Sequence, residues 1–173
     1  MKTRKYSYRR NLSHIQKEDR AHFITFVTYE RWDLPPMAHD AVLRHCMHDH
    51  GSRMRVHAAV VMPDHVHMIL TPLRADSGES FTFEEILSGI KGASAHSVNR
   101  LLGRRGKVWL DESFDHVLRS EESLAEKSEY ICQNPVRKGL VAKAEEYRWL
   151  WREPEGTGKA GNAQAGAAVP HEL

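Results

Sequence analysis

The chain has 173 residues and a mass of 19.9 kDa, a length typical of one domain. Hydrophobic residues make up 40% and charged residues 28%, a balance that supports a buried core and excludes wholesale disorder. No run approaches the roughly 18 apolar residues of a membrane helix. The basic N-terminus is not followed by the apolar run of a secretory signal, and two cysteines cannot supply a disulfide framework. We therefore expect a soluble, cytoplasmic protein.

The first 70 residues predict three strands and one helix. Runs rich in β-branched and aromatic residues predict strands over residues 22–29, 55–62 and 64–70. Pro35 and Pro36 favour a helix start after the first strand, and Gly51 favours its end. Pro63 and Asp64 form a turn signal between the second and third strands, which predicts an antiparallel hairpin.

The second half of the chain predicts a helix, a strand and a last helix. Thr82 and Glu85 form a capping box that begins a helix running towards Leu102. Residues 108–110 and 114–118 supply strand segments. The last helix begins at Ser123 and ends before Pro135. This order predicts a ferredoxin-like α+β sandwich, an antiparallel sheet with helices on one face, plus a C-terminal helix.

The net charge of +2 conceals an uneven distribution. Residues 1–20 carry seven bases and two acids, a net +5, so the overall +2 leaves −3 for the other 153 residues. Four further bases lie within residues 100–107. Such clusters can follow a phosphate backbone, although charge alone favours an ordinary solvated surface. We expect one domain over residues 1–153, with residues 1–20 as a basic arm and the Gly/Ala-rich residues 154–173 as a flexible tail.

Two of the twelve histidines, His65 and His67, stand out because they lie on a predicted strand directly after a turn. Side chains at positions i and i+2 of a strand project to one side, whereas Val66 and Met68 then point into the core. Two imidazoles on one side can bind a single divalent ion. A pair of polar residues on an exposed strand is the alternative, and spacing leaves both open.

The last predicted helix carries Tyr130 and Asn134 at positions i and i+4, which share a face. An amide oxygen can bind a hard cation, and a phenol can act as a covalent nucleophile. Considered separately, a tyrosine at the edge of the core and a turn-forming asparagine before Pro135 remain the favoured interpretations.

Together these motifs form a known pattern. VVMPDHVHMILTP at residues 60–72 is followed by KVW at 107–109, FDHVLR at 114–119 and YICQNPVRKGLV at 130–141. The set resembles the REP-associated tyrosine transposases, a branch of the single-tyrosine HUH transposases of bacterial insertion sequences. The resemblance extends over roughly residues 5–150.

The resemblance implies metal-dependent cleavage and rejoining of single-stranded DNA at REP-type hairpins, through a 5′-phosphotyrosine formed by Tyr130. It places the ligands of a Mg²⁺ or Mn²⁺ ion at His65, His67 and Asn134. Many insertion-sequence relatives carry Gln at the third position, whereas this chain has Asn134 there and Gln133 one place earlier. Tyr147 is the second candidate nucleophile, but it has no amide partner on its helical face.

The expected partner is therefore single-stranded or hairpin DNA, bound by a monomer or a homodimer, with no membrane involved. The bases expected to contact DNA are Arg9, Arg10, Lys91, Arg100, Arg104, Arg105 and Lys107. Two other functions stay open: a hairpin-binding protein without catalysis, and a metal-dependent phosphodiesterase that uses water.

Overall fold

The computed structural model describes residues 20–154. Its strands are β1 (His22–Thr28), β2 (Met54–Val61), β3 (His65–Pro72), β4 (Trp109–Val117) and β5 (Leu150–Arg152). Its helices are α1 (Pro36–Met47), α2 (Phe83–Leu101), α3 (Glu121–Cys132) and α4 (Asn134–Arg137), with single 3-10 turns at Tyr29–Arg31 and Ala144–Glu146. Arg9 and Arg10, with nearly all of the predicted arm and tail, lie outside the described residues. None of the helices within the described range is long and apolar enough to cross a bilayer.

The five strands form one sheet in the order β4-β1-β3-β2-β5, and every pairing is antiparallel. The predicted α+β architecture is confirmed, as is the hairpin of β2 and β3. In the centre of the sheet, His67 of β3 lies opposite Thr25 of β1 on one side and Val60 of β2 on the other.

The sheet has an apolar layer on each face. Val66, Met68 and Leu70 of β3 are buried in a core with residues of α1 and α2. On the opposite face, Ile69 packs in a second cluster with Ile131 of α3. Alternation along β3 therefore directs its two histidines to the face that α3 covers.

The helix starts follow local capping groups. Thr82 and Glu85 make the predicted capping box of α2, with both hydrogen bonds at 3.3 Å. The last long helix begins before the predicted Ser123, because the Ser120 hydroxyl accepts a hydrogen bond from the Ser123 amide at 3.2 Å.

The two predicted segments of the fourth strand form one continuous strand, β4, an edge strand whose polar middle faces solvent. The last long helix, α3, ends at Cys132, before Pro135 as predicted. The short helix α4 that follows it was not predicted, and Pro135 fits its first turn because no N–H is required there. The sequence analysis also missed β5, whose three residues pair with residues 58–60 of β2.

Candidate active site

His65 and His67 lie side by side on the face of the sheet that α3 covers. Their ring centroids are 4.6 Å apart and both residues are 8% exposed. His65 Nδ1 donates to the Asp64 carboxylate at 2.6 Å, and His67 Nδ1 lies 2.7 Å from the Thr25 hydroxyl. With each Nδ1 engaged, Nε2 is the nitrogen that each ring has for a ligand, an arrangement typical of metal-binding histidines.

Electrostatics keep His67 in the form that binds metals. Burial, together with the nearby His65 and Arg137, lowers the pKa of His67 to about 3. The ring is therefore neutral near pH 7, and a neutral imidazole has a lone pair available for a cation.

Asp64, the hydrogen-bond partner of His65, also forms an ion pair with Arg31. Partial burial acts to raise the pKa of Asp64, but the hydrogen bonds and charges of His65 and Arg31 outweigh it and lower this pKa. The Arg31 guanidinium donates to Asp64 at 2.9 Å from the 3-10 turn after β1. Glu30 and Arg31 both have a φ of 55°, so this turn holds two non-glycine residues in the left-handed region.

Tyr130 lies on α3, above the histidine pair. Its ring centroid is 5.8 Å from that of His67 and 6.0 Å from that of Phe23, and the residue is 41% exposed. The Arg137 guanidinium lies 4.2 Å from the Tyr130 ring centroid and donates to the Tyr130 carbonyl at 2.7 Å. The Lys127 ammonium is 5.6 Å from the same centroid. An accessible phenol and two cations thus lie beside the two imidazoles.

The two adjacent amides after α3 differ in their surroundings. Gln133 donates from its side chain to Glu129 at 3.0 Å. Asn134 is buried, and its side chain makes no hydrogen bond within the described part of the chain. Among residues 20–154 no group of three or more His, Cys, Asp or Glu side chains forms a metal site. Imidazole nitrogens and an amide oxygen are donor types that suit a hard or borderline cation, so the assignment of His65, His67 and Asn134 to one ligand set stays a prediction.

Tyr147, the second candidate nucleophile, has a structural role. Its hydroxyl donates to the Val61 carbonyl at 2.9 Å, and burial raises its pKa to about 12. This phenol belongs to the core on the α3 side of the sheet and offers no oxygen to a substrate.

The bases that were expected to contact DNA have different surroundings. Lys91 donates to the Leu110 and Asp111 carbonyls at 2.7 and 3.0 Å and to the Ser113 hydroxyl at 2.9 Å, so it links α2 to β4. Burial lowers the pKa of this ammonium, with Asp111 acting in the opposite direction.

The loop between α2 and β4 holds most of the remaining candidates. The Arg104 guanidinium lies 4.0 Å from the Trp32 ring centroid, and Lys107 pairs with Asp111 at 2.5 Å. Arg100 and Arg105 are exposed. The loop lies at the same end of the sheet as Asp64, since Val108 and Asp64 accept backbone hydrogen bonds from the successive residues Tyr29 and Thr28.

Comparisons with known proteins show which proteins the chain is similar to. No protein-family model matches the chain. A Haemophilus influenzae protein, named as a predicted REP-associated tyrosine transposase, is 25% identical over 89 residues, 49% of this chain. The chain spans about half the length of that relative, 51%.

One solved structure extends the likeness to the whole fold. The structure of a REP-associated tyrosine transposase bound to a REP hairpin has a TM-score of 0.61 at 21% identity, covering 95% of this chain and 98% of that one. The resemblance to the REP-associated tyrosine transposases is confirmed. A predicted transposase from Deinococcus radiodurans R1 has a TM-score of 0.44 at 21% identity, over 76% of this chain and 95% of its own.

Within this fold, the sequence analysis missed five residues around the two histidines and Tyr130. They are Thr25, Arg31, Asp64, Lys127 and Arg137. Asp64 and Arg137 lie inside the sequence blocks that carry the resemblance, and Lys127 precedes Tyr130 by one helical turn. The sequence alone could therefore have indicated these three residues. Thr25 and Arg31 become neighbours of the site only through the register of β1 with β3 and the turn that follows β1.

Proposed function

We propose that the chain is a metal-dependent enzyme that cleaves and rejoins single-stranded DNA next to REP-type hairpins, with Tyr130 as the nucleophile. The observation that carries the proposal is the position of the Tyr130 ring, 5.8 Å from the His67 ring and open to solvent. The name of the Haemophilus influenzae relative and the REP hairpin in the solved structure support the substrate class.

The residues that would hold a Mg²⁺ or Mn²⁺ ion are His65 and His67, through Nε2, and Asn134, through its amide oxygen. A bound ion would polarise a phosphate oxygen and stabilise the charge that develops on it. The hydrogen bonds of Asp64 and Thr25 orient the two imidazoles for this role.

The chemical step is an exchange of one phosphoester bond for another. The Tyr130 oxygen forms a bond to phosphorus as the bond from phosphorus to the 3′ oxygen breaks. The phenol loses a proton and the departing 3′ oxygen gains one, so the products are a free 3′-hydroxyl and a 5′-phosphotyrosine. Arg137 and Lys127 neutralise phosphate charge beside the ring. Because the new bond is also a phosphoester, another 3′-hydroxyl can reverse the step and rejoin two strands without ATP.

A covalent adduct tests the proposal directly. A hairpin oligonucleotide with a single-stranded flank is labelled at its 3′ end, because a 5′-phosphotyrosine retains the downstream fragment. With Mn²⁺ or Mg²⁺ present, we expect the wild-type protein to give a protein-linked band on a denaturing gel. Y130F should abolish this band and still bind the hairpin. Y147F is the matched control and should keep the band, because Tyr147 lies in the core.

The other outcomes identify the alternatives. Cleavage without a protein-linked band would indicate a phosphodiesterase that uses water. Binding without cleavage would indicate a hairpin-binding protein. An adduct formed by Y130F would show that the nucleophile is another residue.

A further inference from the structure

One large aromatic side chain beside the candidate active site is open to solvent. Phe114 of β4 is 60% exposed. It pairs across the sheet with Thr25, whose hydroxyl contacts His67, so Phe114 lies on the same face as the histidine pair. Its ring packs edge-to-face on Phe23, with centroids 6.3 Å apart at 73°.

Phe23 connects this exposed ring to the candidate nucleophile. The Phe23 centroid is 5.6 Å from that of His67 and 6.0 Å from that of Tyr130. Phe114 and Tyr130 are therefore the two ends of a short row of rings, with centroids 6.3 and 6.0 Å from that of Phe23 between them.

The row of rings has cations on the α3 side. The Lys127 ammonium lies 5.4 Å from the Phe23 centroid, and the Arg137 guanidinium lies over Tyr130. Two of the three acids of β4 are paired, Asp115 with His22 and Asp111 with Lys107, and the third, Glu112, is exposed. Aromatic rings next to cations are the combination that binds single-stranded nucleic acid, through base stacking and contacts with the phosphate backbone.

We propose that Phe114 is a stacking platform for an unpaired nucleobase beside the phosphate that Tyr130 attacks. This inference rests on the proposed function, and it specifies where the single-stranded flank of the hairpin lies. Stacking accepts any base, because every base has a π-face. The platform therefore holds the strand in place, and base identity is recognised by other residues.

The test is a double-mutant cycle between the protein and the DNA. Binding is measured by fluorescence anisotropy in the Y130F background, which separates binding from cleavage, with abasic sites placed one at a time along the flank. We expect Phe114→Leu to weaken binding by about 5- to 150-fold, the range for losing one stacked base. Phe114→Trp should retain binding. At one flank position, an abasic site should weaken binding of the Phe114 protein and leave that of the Phe114→Leu protein unchanged.

Met37→Ala is the matched control, because Met37 is 54% exposed on α1, on the opposite face of the sheet. It should leave the dissociation constant unchanged. Three results would each overturn the proposal. The first is equal affinity with and without the Phe114→Leu substitution. The second is a loss of affinity on Phe114→Leu that persists wherever the abasic site is placed, and the third is the same loss of affinity on a blunt duplex without a flank. Failure of the proposed function would instead be seen in the wild-type protein, as the lack of a covalent adduct.

Discussion

At the scale of single residues, the two candidate metal-binding imidazoles are held by different groups. His65 is fixed by a charged acceptor, Asp64, and His67 by a neutral hydroxyl on the neighbouring strand, Thr25. Groups that orient a metal-binding histidine commonly contribute about 10- to 100-fold to metal affinity. If His67 binds the ion, the metal affinity of the site must also depend on Thr25 of β1, which holds the His67 ring.

We predict that T25V weakens Mn²⁺ binding by about 10-fold, because valine has the shape of threonine without the hydroxyl that fixes the His67 ring. Titration calorimetry on the chain without DNA measures this affinity. T71V is the matched control. Thr71 lies on β3, and its hydroxyl is 2.9 Å from Nε2 of His57 on β2, in a pair outside the candidate site. Equal Mn²⁺ affinities of T25V and wild type would show that the Thr25 hydroxyl does not contribute to metal binding.

At the scale of helices and strands, local patterns predicted the candidate site better than its surroundings. The shared side of His65 and His67 follows from strand alternation, and the capping box of α2 follows from Thr82 and Glu85, so both were predictable. The three-residue strand β5 is too short to show a pattern, and pairing with β2 rather than its own sequence makes it a strand.

The basic cluster of residues 100–107 shows the same limit. Its charge was evident in the sequence, but the partners of Arg104 and Lys107 were not, because Trp32 and the Asp111 carboxylate reach them only in the folded chain. Counting bases therefore overstated the number that remain available to a phosphate backbone.

The packing of α1 predicts a pH dependence of stability. His39 of α1 is buried against Trp149, with ring centroids 4.4 Å apart. Burial lowers the pKa of His39 below its usual 6.5, against smaller opposing effects of the Met62 carbonyl and two nearby carboxylates. Below pH 6.5 the unfolded chain therefore binds a proton that the folded chain resists, so this residue makes the folded state lose stability as the pH falls.

We predict that H39F reduces this loss. Urea unfolding followed by tryptophan fluorescence should show a smaller drop in the free energy of unfolding between about pH 7 and pH 5 for H39F than for wild type. Between about pH 7 and pH 8.5 the two proteins should change alike, since the imidazole is neutral in both states there. Parallel curves over the acidic range would mean that His39 does not contribute to the pH dependence.

At the scale of the whole molecule, one end of the sheet collects the groups that the proposed function needs. His65 begins β3 directly after Asp64, and the loop before β4 brings Arg105 and its neighbours to the same end. This concentration matters because the chain outside residues 1–20 carries a net −3, so its average charge repels a phosphate backbone. Binding of DNA by residues outside 1–20 must then depend on a few local bases rather than on the overall field.

We therefore predict a specific salt dependence. Arg100 and Arg105 are exposed, whereas Arg104 packs on Trp32 and Lys107 is paired. The R100Q/R105Q variant should weaken hairpin binding and lower the slope of log K against log salt by up to about 1.4, since each lost phosphate contact on a single strand removes about 0.7. R148Q removes an exposed arginine that pairs with Asp40 of α1 at 3.0 Å, and it should keep the wild-type slope. An equal slope in R100Q/R105Q and wild type would exclude Arg100 and Arg105 from the phosphate contacts.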